Sequence, residues 1–365
     1  MTYYHCNDYN KTLKSITIPN RYTSIGDSAF RYCTNITSII IPNSISKIGS
    51  NAFEYCSNLF SIIIPTSVSK IEDCTFGHCS NLSSIIIPTS ITEIGDCAFG
   101  HCSKLTSIII PTSVSKIGNC AFCYCRNLSS ITIPNSVNKI SSNAFACCYN
   151  LSSITIPNSV TKIDDNAFDG CHNLSSIIIP TSVSEIGVRA FEHCFNLSSI
   201  TIPTSVNKIN REIFRNCSNL SSIIIPTSVS EIESAAFLSC SNLYSITISD
   251  SVTKIGSYAF SHCSNLSSIT IPTSVVEVDP RAFEYCSNLS YISIPTSVKT
   301  SAEYVNRIFY KCPKLTSIII SNSDSESNYK VLLQAYKNIS QKNPTLFKEL
   351  EKEVLKLDPN FKFEY

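Results

Sequence analysis

Apolar and polar positions along this chain recur with one period. Phe stands at Phe30, Phe53, Phe76 and so on to Phe283, always 23 residues apart, and Phe309 follows after 26. Cys lies three positions after each of them, from Cys33 to Cys286 and again at Cys312. Leu or Ile opens the stretch that follows, at Ile36, Leu59, Leu82 and onward to Leu289 and Leu315. So regular a period predicts a stacked solenoid of thirteen turns, because units of this size bury a core only against their neighbours.

One turn, Leu82 to Leu105, shows the elements. Leu82, Ile85 and Ile87 alternate with Ser84 and Ile86, a short strand with one face inward. Pro88 removes a backbone donor and ends that strand. Thr89 and Ser90 suit a turn, and Ile91 and Ile94 point back to the core. Gly95 heads a column with Gly49, Gly118, Asn210 and Asp164, read as a left-handed bend, although Glu72 and Glu233 interrupt it. Ala98, Phe99 and Cys102 close the core on the return side. Parallel stacking at about 4.8 Å per turn predicts a rod of roughly 60 Å, with like residues in ladders.

The turn L-x-x-I-x-I-P-x-S-V-x-x-I-G-x-x-A-F-x-x-C, seen at Leu128–Cys148 and Leu151–Cys171, resembles the BspA-type (Treponema-type) leucine-rich repeat. The resemblance covers residues 13 to about 320, and its Ala-Phe plus Cys signature is specific. It implies a mainly β repeat solenoid with a parallel sheet on the concave face. It also implies a surface protein that adheres to host matrix proteins or other cells.

Residues 1–12 lack the pattern and are expected to cover the first turn. The solenoid occupies 13–320. Beyond it, 321–365 begin as a polar linker, Ser321-Asn-Ser-Asp-Ser-Glu-Ser, followed by helices at about 328–341 and 344–357. Pro344 suits a first turn, and Phe347, Leu350, Val354 and Leu357 share one face, so a short helical C-terminal cap over the last turn is expected. Docking onto another protein is the alternative use of that face.

The outward position at mid-strand holds Ile or Thr in almost every turn. Exposed strands favour β-branched residues in any case, but Ile40, Ile63, Ile86 and Ile109 put four Ile on adjacent turns. That stripe of roughly 15–20 Å is the candidate protein-binding site. A charged column runs beside it, alternating in sign from Glu185 through Lys208, Glu231 and Lys254 to Glu277, whereas Lys116, Lys139 and Lys162 are three like charges in a row. They are the candidate anion patch, set against the reading of a solvated face.

The chain has 19 Cys. Thirteen form the ladder and read as small buried hydrophobes, their parallel Cβ vectors disfavouring disulfides. Cys74, Cys97 and Cys120 make a shorter column. The one asymmetric cluster is Cys120-Ala-Phe-Cys123-Tyr-Cys125 with Cys147-Cys148 a turn later. Zinc is its functional reading and membership of repeat columns its bland one; no metal and no cofactor are expected. His78, His101, His193 and His262 are expected to face solvent. The Asn-x-Ser/Thr sequons at Asn81, Asn127, Asn173, Asn219 and Asn265 arise from the repeat and count for glycosylation only in a secreted chain.

Composition narrows the partners. The net charge of +1, from 28 basic against 27 acidic residues, gives no electrostatic case for nucleic acid or an acidic membrane. No apolar run is long enough to span a bilayer, and the first residues lack the basic and apolar regions of a signal peptide. Polar residues recur in every turn, whereas catalysis needs one unsymmetric constellation, so an enzyme is not expected. Two functions remain: an adhesin-like protein-binding module at the cell surface, by resemblance, and an intracellular interaction scaffold, by unpaired thiols and the missing leader.

Overall fold

In the computed structural model the described residues are 3–4, 12–295, 297–298 and 308–321. The helices expected at 328–341 and 344–357, and most of 1–12, lie outside them. The chain divides into two compact units, Met1–Leu197 and Ser198–Tyr365. Both are parallel-strand β-solenoid with a 23-residue repeat, and helix is almost absent among the described residues.

Most turns of the first unit carry two short strands; the turn of Ile109 has the single bridge Ser107–Ser130 in place of the first. The outward-facing strand, such as Ser61–Ile63 and Ser84–Ile86, pairs in parallel and in register, Ile62 with Ile85 and Ile63 with Ile86. The second strand, such as Lys70–Ile71 and Glu93–Ile94, forms a separate parallel ladder that the sequence pattern had not revealed. The second unit repeats the scheme, with Ser222–Ile224 on Ser245–Thr247 and Lys208–Ile209 on Glu231–Ile232.

The core follows the expected columns. Leu82, Ile91, Ile94, Ala98, Phe99 and Cys102 are fully buried, with Ile85 and Ile87 nearly so. The Phe rings stack turn on turn, for example Phe76–Phe99 and Phe99–Phe122 at 5.5 Å in the first unit, and Phe214–Phe237 at 5.5 Å in the second. At the first turn Tyr4 continues the stack onto Phe30 at 5.4 Å.

The return side is built differently from a strand. Positive φ falls two residues before and two after each Phe, as at Cys97 (52°) and His101 (61°) around Phe99. This alternation turns every second N–H toward the next turn: Cys97, Phe99 and His101 donate to the carbonyls of Asn119, Ala121 and Cys123 at 2.7–2.8 Å. A left-handed non-glycine residue costs about 1–2 kcal/mol, and each hydrogen bond returns about as much.

The expected bend at the Gly95 column is therefore misplaced, since none of its glycines has positive φ. Close approach explains them. A Cβ on Gly95 would lie 2.5 Å from Asp73 Oδ1 and 2.7 Å from the Asp73 nitrogen. Asp73 Oδ1 in turn accepts from the Asp96 N–H at 2.8 Å, so the carboxylate caps one turn while lying against the glycine of that turn. Asp27, Asp96 and Asp165 repeat the arrangement with Gly49, Gly118 and Gly187.

Candidate interaction surface

Strand alternation sends Ile40, Ile63 and Ile86 outward while Ile39, Ile62 and Ile85 fill the core. The outward three are 60%, 74% and 73% exposed, and Ile109 reaches 85%. Ile109 continues the column just past the bridge Ser107–Ser130 and is not itself in a strand. The stripe is extended sideways by Phe60, 59% exposed at the start of the Ser61–Ile63 strand. Sequence reasoning passed over Phe60, although an aromatic residue in a column of Ser and Thr was the available signal. Ile178 in the first unit and Ile224 in the second are also exposed, but Thr occupies the same position in the turns next to them.

The lysine trio is not a bare cationic patch. Asp164 lies 2.8 Å from Lys139 and 3.5 Å from Lys162, and Lys162 also reaches Glu185 at 2.9 Å. The Glu185 contact, followed by Asp164, raises the Lys162 pKa. Among the described residues Lys116 has no carboxylate at ion-pair distance. Asp164 belongs to the glycine column, and the acids that interrupt that column share this role. Glu72 pairs with Lys70 at 3.0 Å, Glu233 with Lys208 at 2.6 Å, and Asp279 with Lys254 at 3.8 Å. Lys208–Glu231 and Lys254–Glu277, at 3.1 and 2.8 Å, fulfil the alternation of the charged column.

The ladder cysteines from Cys33 to Cys286 are buried as expected, with Cys312 half-buried, and they also donate. Cys102 Sγ bonds the Phe76 carbonyl at 3.2 Å and Cys125 Sγ that of Phe99 at 3.1 Å, and Cys240 repeats the bond to Phe214 at 3.1 Å. Burial holds the Cys125 thiol up at about 12. Among the described residues every Cys is free of disulfides.

His262 is exposed as expected, whereas His78, His101 and His193 are not. His78 and His101 are half-buried, in a ladder of stacked rings running Tyr32, Tyr55, His78, His101, Tyr124 at 4.1–4.7 Å. Burial pushes both imidazoles below their ordinary range. His193 Nδ1 sits 3.0 Å from Asp169 and 3.8 Å from Glu192, the one grouping of such residues among those described with metal-ligand proximity. The sequon asparagines are committed to ladders of their own, such as Asn81 Nδ2 to Asn58 Oδ1 at 3.0 Å.

The family model for the BspA-type leucine-rich repeat region matches six copies, over residues 4–126, 92–221 and 207–340. The chain belongs to this family. BspA-type repeats are, in general, protein-interaction modules. Among solved structures, a leucine-rich repeat protein from Bacteroides ovatus is 33% identical, with 83% of this chain and 86% of that one covered at a TM-score of 0.69. A leucine-rich cell surface protein from Faecalibacterium prausnitzii is 30% identical over 88% and 90% of the two chains, TM-score 0.54. A third, from Eubacterium ventriosum, is 26% identical over 76% and 83%, TM-score 0.57. No curated protein sequence matches the chain. No helix among the described residues of this BspA-type chain is long and apolar enough to cross a membrane.

Proposed function

We propose that this chain is a non-catalytic, adhesin-like module that holds a protein partner on its strand face. The stripe Ile40, Ile63, Ile86 and Ile109 supplies the contact. The observation that carries the reading is the exposure of four branched apolar side chains on successive turns at one strand spacing, a run about 15 Å long. Phe60 adds an aromatic anchor, the residue class that dominates interface energetics. The similar cell surface protein from Faecalibacterium prausnitzii supports a place outside the cell. An anion-binding role for Lys116, Lys139 and Lys162 is the weaker proposal, since Asp164 and Glu185 already face two of the three.

Two measurements test it. Surface biotinylation of intact source cells labels an adhesin, and a chain recovered only unlabelled from the cytosol ends the adhesion reading in favour of an internal scaffold. In the same cells, a photo-cross-linking side chain at Ile86 captures a protein that one at Ser115 on another column does not. Changing Ile40, Ile63 and Ile109 to Thr then lowers capture by ~10-fold or more, with stability changed by less than about 1 kcal/mol. Equal capture from both positions removes the strand face from the proposal.

A further inference from the structure

The half-buried column Cys74, Cys97 and Cys120 has no counterpart elsewhere in the chain, where Ser, Asn, Arg, Glu, Ala and Tyr take the position. The neighbouring column changes with it. Glu54, Glu192, Arg215 and Glu284 lay long side chains along this flank in other turns, but Gly77 and Gly100 stand there beside the thiols. A Cβ on Gly100 would come within 3.3 Å of Cys123 Sγ, so that glycine makes room for one more sulfur.

Of these thiols, Cys120 and Cys123 share a backbone turn that suits a disulfide. The Cys123 N–H donates to the Cys120 carbonyl at 3.1 Å, closing a turn over Cys120–Cys123. Such a turn holds its first and fourth Cα atoms under about 7 Å apart, and a disulfide needs roughly 4.4–6.8 Å. The thiols of both Cys123 and Cys97 act on that of Cys120. Parallel stacking disfavours a disulfide between ladder partners such as Cys97 and Cys120. Cys125 is buried and engaged with the Phe99 carbonyl.

We infer that Cys120 and Cys123 form a peroxide-reactive dithiol, with Cys120 the attacking and Cys123 the resolving sulfur. Cys120 is the more exposed of the two. The Cys123 and Cys97 thiols that face it lower its pKa to about 6, against the opposing effects of burial and Asp96. Cys123, donating to Cys120 and buried, is raised. The Cys120 thiolate attacks the terminal oxygen of a hydroperoxide, forming an S–O bond as O–O breaks and the alcohol leaves. Cys123 Sγ then attacks Cys120 Sγ; S–S forms, S–O breaks, and hydroxide departs as water with the Cys123 proton. Two thiols are oxidised to a disulfide while the peroxide is reduced.

The test treats the reduced, folded chain with one equivalent of tert-butyl hydroperoxide, alkylates the remaining thiols and digests after Lys116 and Arg126. The peptide Ile117–Arg126 is expected to lose two hydrogens and carry a Cys120–Cys123 link, with Cys125 labelled only after denaturation. Cys123→Ser is expected to leave Cys120 as a sulfenic acid trapped by dimedone. At pH 6 the wild-type Cys120 should alkylate about ten-fold faster than Cys74, its thiolate fraction outweighing its lower nucleophilicity. A Cys97–Cys120 link, oxidation confined to other cysteines, or equal alkylation of Cys74 and Cys120 overturns the assignment.

Discussion

At Cys102 one sulfur fills the core and donates to the carbonyl of Phe76 in the preceding turn. Cys102→Ala removes both roles and is expected to destabilise the chain by about 1–2 kcal/mol, measured by urea unfolding. Cys102→Ser keeps a donor and should cost less. The stacked imidazoles set a pH response. The folded state favours neutral His78 and His101, chiefly through burial, with His78 and Arg126 adding to the effect on His101 and Glu54 opposing it at His78. The unfolded chain therefore binds more protons between the folded and unfolded pKa values, and stability rises with pH across that window. Their contribution is complete above about pH 6.5 and is lost as pH falls through the folded values. Thermal melts from pH 7.5 to 5 should show this loss, and His78→Phe with His101→Phe should flatten it. A pH slope unchanged in that double variant would assign the effect to other groups.

At the level of one turn, each Asp of one column is followed by a Gly 22 residues later, although Gly256 lies as closely against Ser234. The column that holds Asp27, Asp73, Asp96 and Asp165 has no other Asp, and each is followed by Gly49, Gly95, Gly118 or Gly187. Where Glu72, Ser141, Asp164 or Glu233 replaces the glycine, the partner is Ser50, Asn119, Ser142 or Arg211. Gly95→Ala is expected to cost about 1–3 kcal/mol, and Asp73→Ser should recover part of it in a double-mutant cycle; strict additivity would dismiss the coupling. The exposed ion ladder matters less: Lys208→Ala should cost under about 1 kcal/mol despite two carboxylates within 3.1 Å. This divides what could be read in advance from what could not. Phe99, Leu82 and Ile85 were legible because apolar period alone places them inward, and Ile86 because a strand alternates. The left-handed residues at Cys97 and His101, the thiol donor at Cys102 and the ion partner at Asp164 were not. Each depends on which atoms of the adjacent turn stand opposite, and a single-turn pattern does not contain that.

Because each turn is stabilised by its neighbours, stability in such a chain is close to a sum over adjacent interfaces. Phe99→Ala removes a ring stacked on both Phe76 and Phe122 and should cost about 3–5 kcal/mol. Denaturant unfolding of that variant is expected to broaden or split into two phases, since the weakened interfaces fall between turns that keep their own. A single sharp transition of unchanged slope would show that the turns do not unfold separately. The left-handed pattern beside the Phe stack has one more consequence. Its N–H groups at Cys97, Phe99 and His101 in the first unit, and at Ala235, Phe237 and Ser239 in the second, all donate toward the following turn. Peptide dipoles on this side add rather than cancel, so each unit carries an electrical polarity as a helix does. Anionic side chains grafted onto this flank should be tolerated better at the later turns of a unit, and cationic ones at the earlier turns.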